Sequence, residues 1–319
     1  MSPILRVVIV SSFLILSSAF IGTNQSASIS RPDQSAISST DTFKLRPVRD
    51  IVQQCQDYNV WIKAAGYTTS GMETSGSGSG VLIQTSDGSV WVLTAGHVVD
   101  YSREMKKTTD PRTGAETVSY PLKPVTVSKW AHRDNVLVEI WSVQADIVRL
   151  SPDSPDGTSE DIAILRLRED TPSGAVVLKQ LRQGGIGAKF YLDSKIPAID
   201  TDVYHCGNLL GKEGINSVSR GHISMTGRQI FGTIFDQSTC SAYPGSSGGG
   251  VYLTDGRYIG MLTCGYGPAF NFYVPIRRIH AWSKHAGVEF IFDHELPVPS
   301  EKDLKSKPVE DKGFKKTKK

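Results

Sequence analysis

From about residue 60 the chain alternates short apolar runs with turn residues, a period that suits strands better than helices. Val81–Ile83 and Val90–Leu93 flank Asp87-Gly88, a hairpin signal, and "GVYLTDGRYIGML" repeats the design around Asp255-Gly256. "PVTVSKW", "VLVEIWSV", "DIAILRLR" and "FYVPI" are further strand candidates, and only Ile276–Ala286 is patterned as a helix. No motif recurs at a solenoid or propeller period. The pattern predicts an all-β protein, a barrel or sandwich.

The two ends differ from this middle. Arg6 precedes an apolar stretch, Val7–Leu16, interrupted by Ser11 and Ser12, and Ser17-Ser18-Ala19 follows. That order predicts an export signal over 1–19, with cleavage as late as Ala27 the alternative. Residues 23–46 are rich in Ser, Thr and Gln and read as a flexible linker, and 297–319 as a disordered charged tail. The folded region is expected over 51–292. Export places the protein in the periplasm or medium, with no membrane span once the signal is removed; an uncleaved signal acting as a membrane anchor is the alternative.

With 319 residues, 39% of them hydrophobic, the chain supports a sizeable core, and its 30 glycines and 16 prolines match a turn-rich architecture. A net charge of +3 without a basic stripe gives no argument for a nucleic-acid partner. Cys55, Cys206, Cys240 and Cys264 have no CxxC spacing. In an exported protein they predict disulfides rather than zinc, with three pairings open. No metal or organic cofactor is implied. His132, His205 and His222 are expected to be structural, since no second ligand stands at a useful spacing from His205.

Three stretches combine reactive residue types with strand ends. His97 lies in "LTAGHVV", Asp161 in "SEDIAILRL", and "SAYPGSSGGGVY" sets Ser246 and Ser247 among glycines. A serine hydroxyl needs an adjacent base, a histidine supplies one near neutral pH, and a carboxylate orients the imidazole. Asp153 and Asp156 are weaker candidates for the acid because no strand follows them directly. Gly245-Ser246-Ser247-Gly248-Gly249 also satisfies the nucleophile elbow of α/β-hydrolases, with Asp255, His280 and His285 downstream. That elbow must lead into a helix, and the residues after it here are hairpin-like.

The order His97, Asp161, Ser247, together with "GSGVLI", "VSRGHIS", "PGSSGG" and "FYVP", resembles the trypsin-like (chymotrypsin-fold) serine proteases, and specifically their HtrA-like bacterial branch. The resemblance runs from about Val60 to Ile279. It implies two packed six-stranded antiparallel β-barrels with a short C-terminal helix, and a serine endopeptidase acting on polypeptide substrates. It further implies backbone donors at Gly245 and Ser247 for an oxyanion, and a pocket formed by Ser241, Thr263, Cys264, Gly265 and Asn271. Ser246 as nucleophile would put Pro244, which has no N–H, where one donor is needed, so Ser247 is the better choice. Gly248 and Gly249 are expected to leave room for substrate and for His97. No acid stands at Ser241, which implies a neutral, apolar or small side chain before the cleaved bond. A Cys240–Cys264 bridge would brace that pocket. Residues 101–124 look like an insertion, and the roughly 30 residues after the folded region at 51–292 leave no space for a PDZ domain. The alternative reading is a catalytically silent homologue that binds peptides or proteins.

Overall fold

In a computed structural model the described residues are 48–311, apart from 135, 154–158, 231 and 268. The expected signal, the 23–46 linker, Asp156 and the last eight residues of the tail lie outside them.

After helix α1 (Val48–Tyr58), strands β1 (Asn59–Tyr67), β2 (Glu73–Gln84) and β3 (Val90–Thr94) run as successive antiparallel neighbours. The β2–β3 turn is the one the sequence signals: Gly88 has φ +77°, and Asp87 accepts hydrogen bonds from Thr85 Oγ1 and Ser89 N. A short helix α2 (Gly96–Val99) follows β3, and the 101–124 insertion carries an exposed hairpin, β4 (Lys106–Thr109) and β5 (Glu116–Ser119). Strands β6 (Val125–Arg133), β7 (Val136–Ser151) and β8 (Ile162–Leu167) then close a six-stranded barrel of order β1-β2-β3-β8-β7-β6.

The first eight residues of β2, "ETSGSGSG", are rich in Gly and Ser, yet they form strand because neighbours pack directly onto the glycines. A Cβ at Gly78 would come within 2.6 Å of Val98, and one at Gly80 within 2.6 Å of Val92. The small residues set how closely α2 and β3 approach.

Helix α3 (Pro172–Gly184) links the barrels, capped by Thr171 Oγ1 on Gly174 N and stopped by Gly185 at φ +59°. Strands β9 (Asp202–Leu209), β10 (Gly214–Ile230), β11 (Thr233–Ser238), β12 (Gly250–Leu253), β13 (Tyr258–Gly265) and β14 (Asn271–Pro275) form the second barrel, of order β10-β11-β14-β13-β12-β9. The all-β expectation of two six-stranded antiparallel barrels is met. Helix α4 (Ile276–Ala286) has the bounds read from the sequence, while α1 and α3 were not anticipated.

A buried amide network ties the barrels together. Asn59 Nδ2 donates to Asn208 Oδ1 at 3.0 Å, and Asn208 Nδ2 donates to Val60 O at 2.8 Å. Lys129 Nζ donates to the carbonyls of Gln56, Asp57 and Asn59, capping the C-terminal end of α1.

The tail corrects the expectation of disorder from 297. It is ordered to Asp311, with helix α5 (Glu301–Ser306) capped by Ser300 and a parallel bridge between Glu310 and Leu150. Its charges meet partners on the barrel. Glu301 pairs with Arg166 and Glu310 with the buried Arg103, and Arg149 Nη2 donates to Leu304 O. The composition of a solvated tail here belongs to a strap across the first barrel.

Candidate active site

Each candidate residue sits where a strand begins or ends. His97 follows β3 on α2, Asp161 directly precedes β8, and Ser247 lies on the loop into β12. A Cβ at Gly96 would lie 2.3 Å from Ser151 O, so only glycine lets α2 sit this close to β7. Asp161 has φ +53°, in the left-handed region, and is 6% exposed beside the buried Glu160–Arg278 ion pair.

Asp161 holds the histidine at two points. Its Oδ1 accepts from the His97 backbone N–H at 2.8 Å, and its Oδ2 lies 2.9 Å from Nδ1. Thr263 Oγ1 also donates to Oδ2. Burial favours the neutral carboxyl, but the charge and hydrogen bonds of His97 and the Thr263 hydroxyl outweigh it, and the Asp161 pKa falls below its usual value. For His97, burial acts to lower the pKa, and the Asp161 carboxylate outweighs it, so the value rises above the ordinary imidazole value. Asp153, the rejected alternative, is exposed and acts on His97 only through its charge, weakly.

The two serines have separate fates. Ser246 is 1% exposed, and its Oγ accepts the Tyr243 N–H at 3.1 Å. Ser247 is half-buried, and its Oγ donates to Thr263 O at 3.0 Å. Thr263, which the sequence nominated only for the pocket, thus bonds through its hydroxyl to the acid and through its carbonyl to the serine.

The loop that carries Ser247 is clamped to the first barrel by Ser79, which sequence reasoning missed. Ser79 N donates to Ser247 O at 2.8 Å, and its Oγ donates to Gly245 O at 2.7 Å and accepts from Asn208 N. Its only sequence signal is its place in "GSGVLI". Gly245 has φ +94°, where a side chain is strained, and a Cβ would meet Asn208 O at 2.4 Å. Two peptide units are oriented by outside bonds: Leu210 N donates to Pro244 O, and Gly249 N to Ser246 O. The N–H groups of Gly245 and Ser247 belong to those same units and point away from the bonded oxygens.

Gly248 and Gly249 sit at close backbone approaches. A Cβ at Gly248 would lie 2.0 Å from Ser79 O, and one at Gly249 2.5 Å from Cys206 O. They are small where the loop presses onto both barrels.

Beside Ser247 lies a pocket of about 380 Å³ lined by Pro244, Leu262, Thr263, Cys264, Gly265 and Asn271, among others. Ala242 and Tyr243 reach it. Ser241 does not line it; its carbonyl accepts a hydrogen bond from Ser219 Oγ on β10. Asn271 is buried and donates to Cys240 O at 2.6 Å. The proposed Cys240–Cys264 bridge is absent, and all four cysteines are free thiols. Cys240 turns into the second barrel, with Sγ 3.6 Å from Val203 O, while Cys264 is exposed. Burial pushes the Cys240 thiol up to about 11.

His205 is fully buried, with Nδ1 3.1 Å from Gly250 O, and burial lowers its pKa to about 4. Among the described residues no His, Cys, Asp and Glu side chains are grouped to hold a metal ion, and no helix is long and apolar enough to cross a membrane.

Residues 78–261 match the trypsin-like peptidase domain family. No curated protein matches. Among solved structures, a serine endoprotease from Yersinia pestis aligns at 19% identity and a TM-score of 0.47, covering 78% of this chain and 68% of that one. The HtrA-type protease AlgW with a tripeptide aligns at 20% identity and a TM-score of 0.49, covering 76% of this chain and 64% of that one. The chain thus spans about two thirds of the length of either. With the matched domain extending over more than half of its residues, this chain belongs to the trypsin-like peptidase family.

Proposed function

We propose that the protein is a serine endopeptidase of HtrA-like type, exported from the cell, with Ser247 as nucleophile, His97 as general base and Asp161 as the group that orients it. The observation that carries this reading is the continuous hydrogen-bonded path from His97 through Asp161 and Thr263 to Ser247. It joins residues from both barrels at one point.

In the reaction the Ser247 hydroxyl leaves Thr263 O, passes its proton to His97 Nε2 and attacks the substrate carbonyl. Asp161 keeps Nδ1 protonated, so that Nε2 is the basic nitrogen, and stabilises the imidazolium. The N–H groups of Gly245 and Ser247 receive the oxyanion, a contribution worth about 10²–10³ in turnover per donor. The tetrahedral adduct collapses to an acyl-enzyme as His97 protonates the leaving amine, and water then repeats the sequence. The pocket bounded by Thr263–Gly265 takes the side chain before the cleaved bond. With no charged residue among its lining groups, it favours small or apolar side chains.

A second reading, a silent peptide-binding homologue, draws on the resting position of the Ser247 hydroxyl, bonded to Thr263 O rather than to His97. Peptide-library cleavage by wild type and by Ser247→Ala separates the two. Endopeptidase activity that falls by roughly 10⁴-fold or more in the variant supports the enzyme, and equal behaviour of the two proteins refutes it.

A further inference from the structure

The molecule has a second concavity, on the outer face of the first barrel, of about 730 Å³. It crosses β1, β2, β6 and β7 to the end of β8, and its lining includes Lys63, Lys123 and Arg168 with the hydrogen-bonding side chains of Ser75, Ser77 and Gln144. No carboxylate lines it. Asp146 and Asp170 stand at its edge, 3.4 and 3.7 Å from Arg168, and partly offset that one cation. Among the described residues Lys63 and Lys123 form no ion pair, and Lys63 Nζ lies 4.1 Å from the centre of the Trp61 ring, which holds the ammonium over an apolar face. The pocket beside Ser247 has no charged lining residue at all.

The β2 wall of the groove runs toward Ser247. Ser79 N is bonded to Ser247 O, and Gly78 packs between Ser247 and Val98, the neighbour of His97. From there β2 leads back through Ser77 to Ser75, at about 3.3 Å per residue, so the lining starts roughly 7 Å from Ser79 and reaches roughly 13 Å. β13 meets Ser247 at its hydroxyl, through Thr263 O, and β2 meets it at its carbonyl, through Ser79 N. If the residue before the cleaved bond sits in the pocket at β13, the leaving segment exits along β2.

We infer that this groove binds acidic side chains on the leaving side of the substrate, at about the second to fifth residue after the cleaved bond, and so selects polypeptides carrying Asp or Glu there. The inference rests on the endopeptidase reading for its polarity. Two lysines without carboxylate partners, facing a concave wall of hydroxyl and amide donors, complement carboxylates both in charge and in hydrogen bonding.

The test uses internally quenched peptides identical up to the cleaved bond, with Asp/Glu, Ser/Gly or Lys over the following residues, and the same peptides in anisotropy binding to Ser247→Ala. The acidic peptide is expected to have a KM about tenfold below the neutral one with similar kcat, and an advantage that shrinks several-fold between about 0.05 M and 0.5 M salt. In Lys63→Glu/Lys123→Glu the acidic-to-neutral ratio of kcat/KM falls to about one or inverts. Equal handling of acidic and neutral peptides in both assays, or an unchanged ratio in the charge-reversed protein, overturns the inference. Preferential binding of the acidic peptide without cleavage of any peptide would leave the groove standing and sink the peptidase reading.

Discussion

The two halves of the site are built differently. On the first barrel His97 and Asp161 are locked: the carboxylate bonds the ring and backbone of the histidine, and the Thr263 hydroxyl completes its shell. On the second barrel Ser247 is held by its backbone, through Ser79, while its hydroxyl rests on a carbonyl rather than on the base. The His97–Asp161 half is preorganised, and the Ser247 hydroxyl must leave Thr263 O before it can act as the proposed nucleophile. Preorganised partners cost no rearrangement during the reaction, so the first half should tolerate change least.

Asp161→Asn strikes that half hardest. The amide cannot hold the imidazole in the same tautomer or stabilise its charge, and turnover should fall by about 10⁴-fold with the fold retained. Circular dichroism and peptide hydrolysis together check this; activity within tenfold of wild type would mean the locked pair is structural. Ser246→Ala probes the second half and should do far less. It leaves Tyr243 N without its acceptor, at a cost of about 1–2 kcal/mol in stability, with activity reduced only severalfold. Thermal unfolding and kcat/KM give the two numbers. A loss comparable to that from Ser247→Ala would reverse the assignment of the nucleophile.

The same contrast governs what the sequence discloses. His97, Asp161 and Ser247 are legible because each abuts a strand whose apolar pattern is plain, and the Asp-Gly turns mark the hairpins. Ser79 and the hydroxyl role of Thr263 are hidden, since their importance lies in contacts between barrels far apart in sequence. The Gly- and Ser-rich start of β2 carries no strand signal because packing, not side-chain propensity, makes it strand. Ile51, Cys55 and Tyr58 on α1 and Thr171-Pro172 before α3 do carry helical signals, but strand-like neighbours obscure them. The ordered tail is misread because Glu310 finds the buried Arg103 and Leu304 O finds Arg149, and Cys240 and Cys264 because one turns into the second barrel after β11 while the other, on β13, is exposed.

The most direct measurement is the pH dependence of Ser247 labelling by a fluorophosphonate, read by peptide mass mapping. The reagent needs only the nucleophile, the base and the oxyanion donors, and no knowledge of the substrate. His97 must be neutral to accept the proton, and Asp161 raises its pKa. The labelling rate should therefore climb through a midpoint above the ordinary imidazole value of about 6.5, with the label on Ser247 alone. Labelling that is flat from about pH 5 to 8, or that falls on Ser246, would contradict the account.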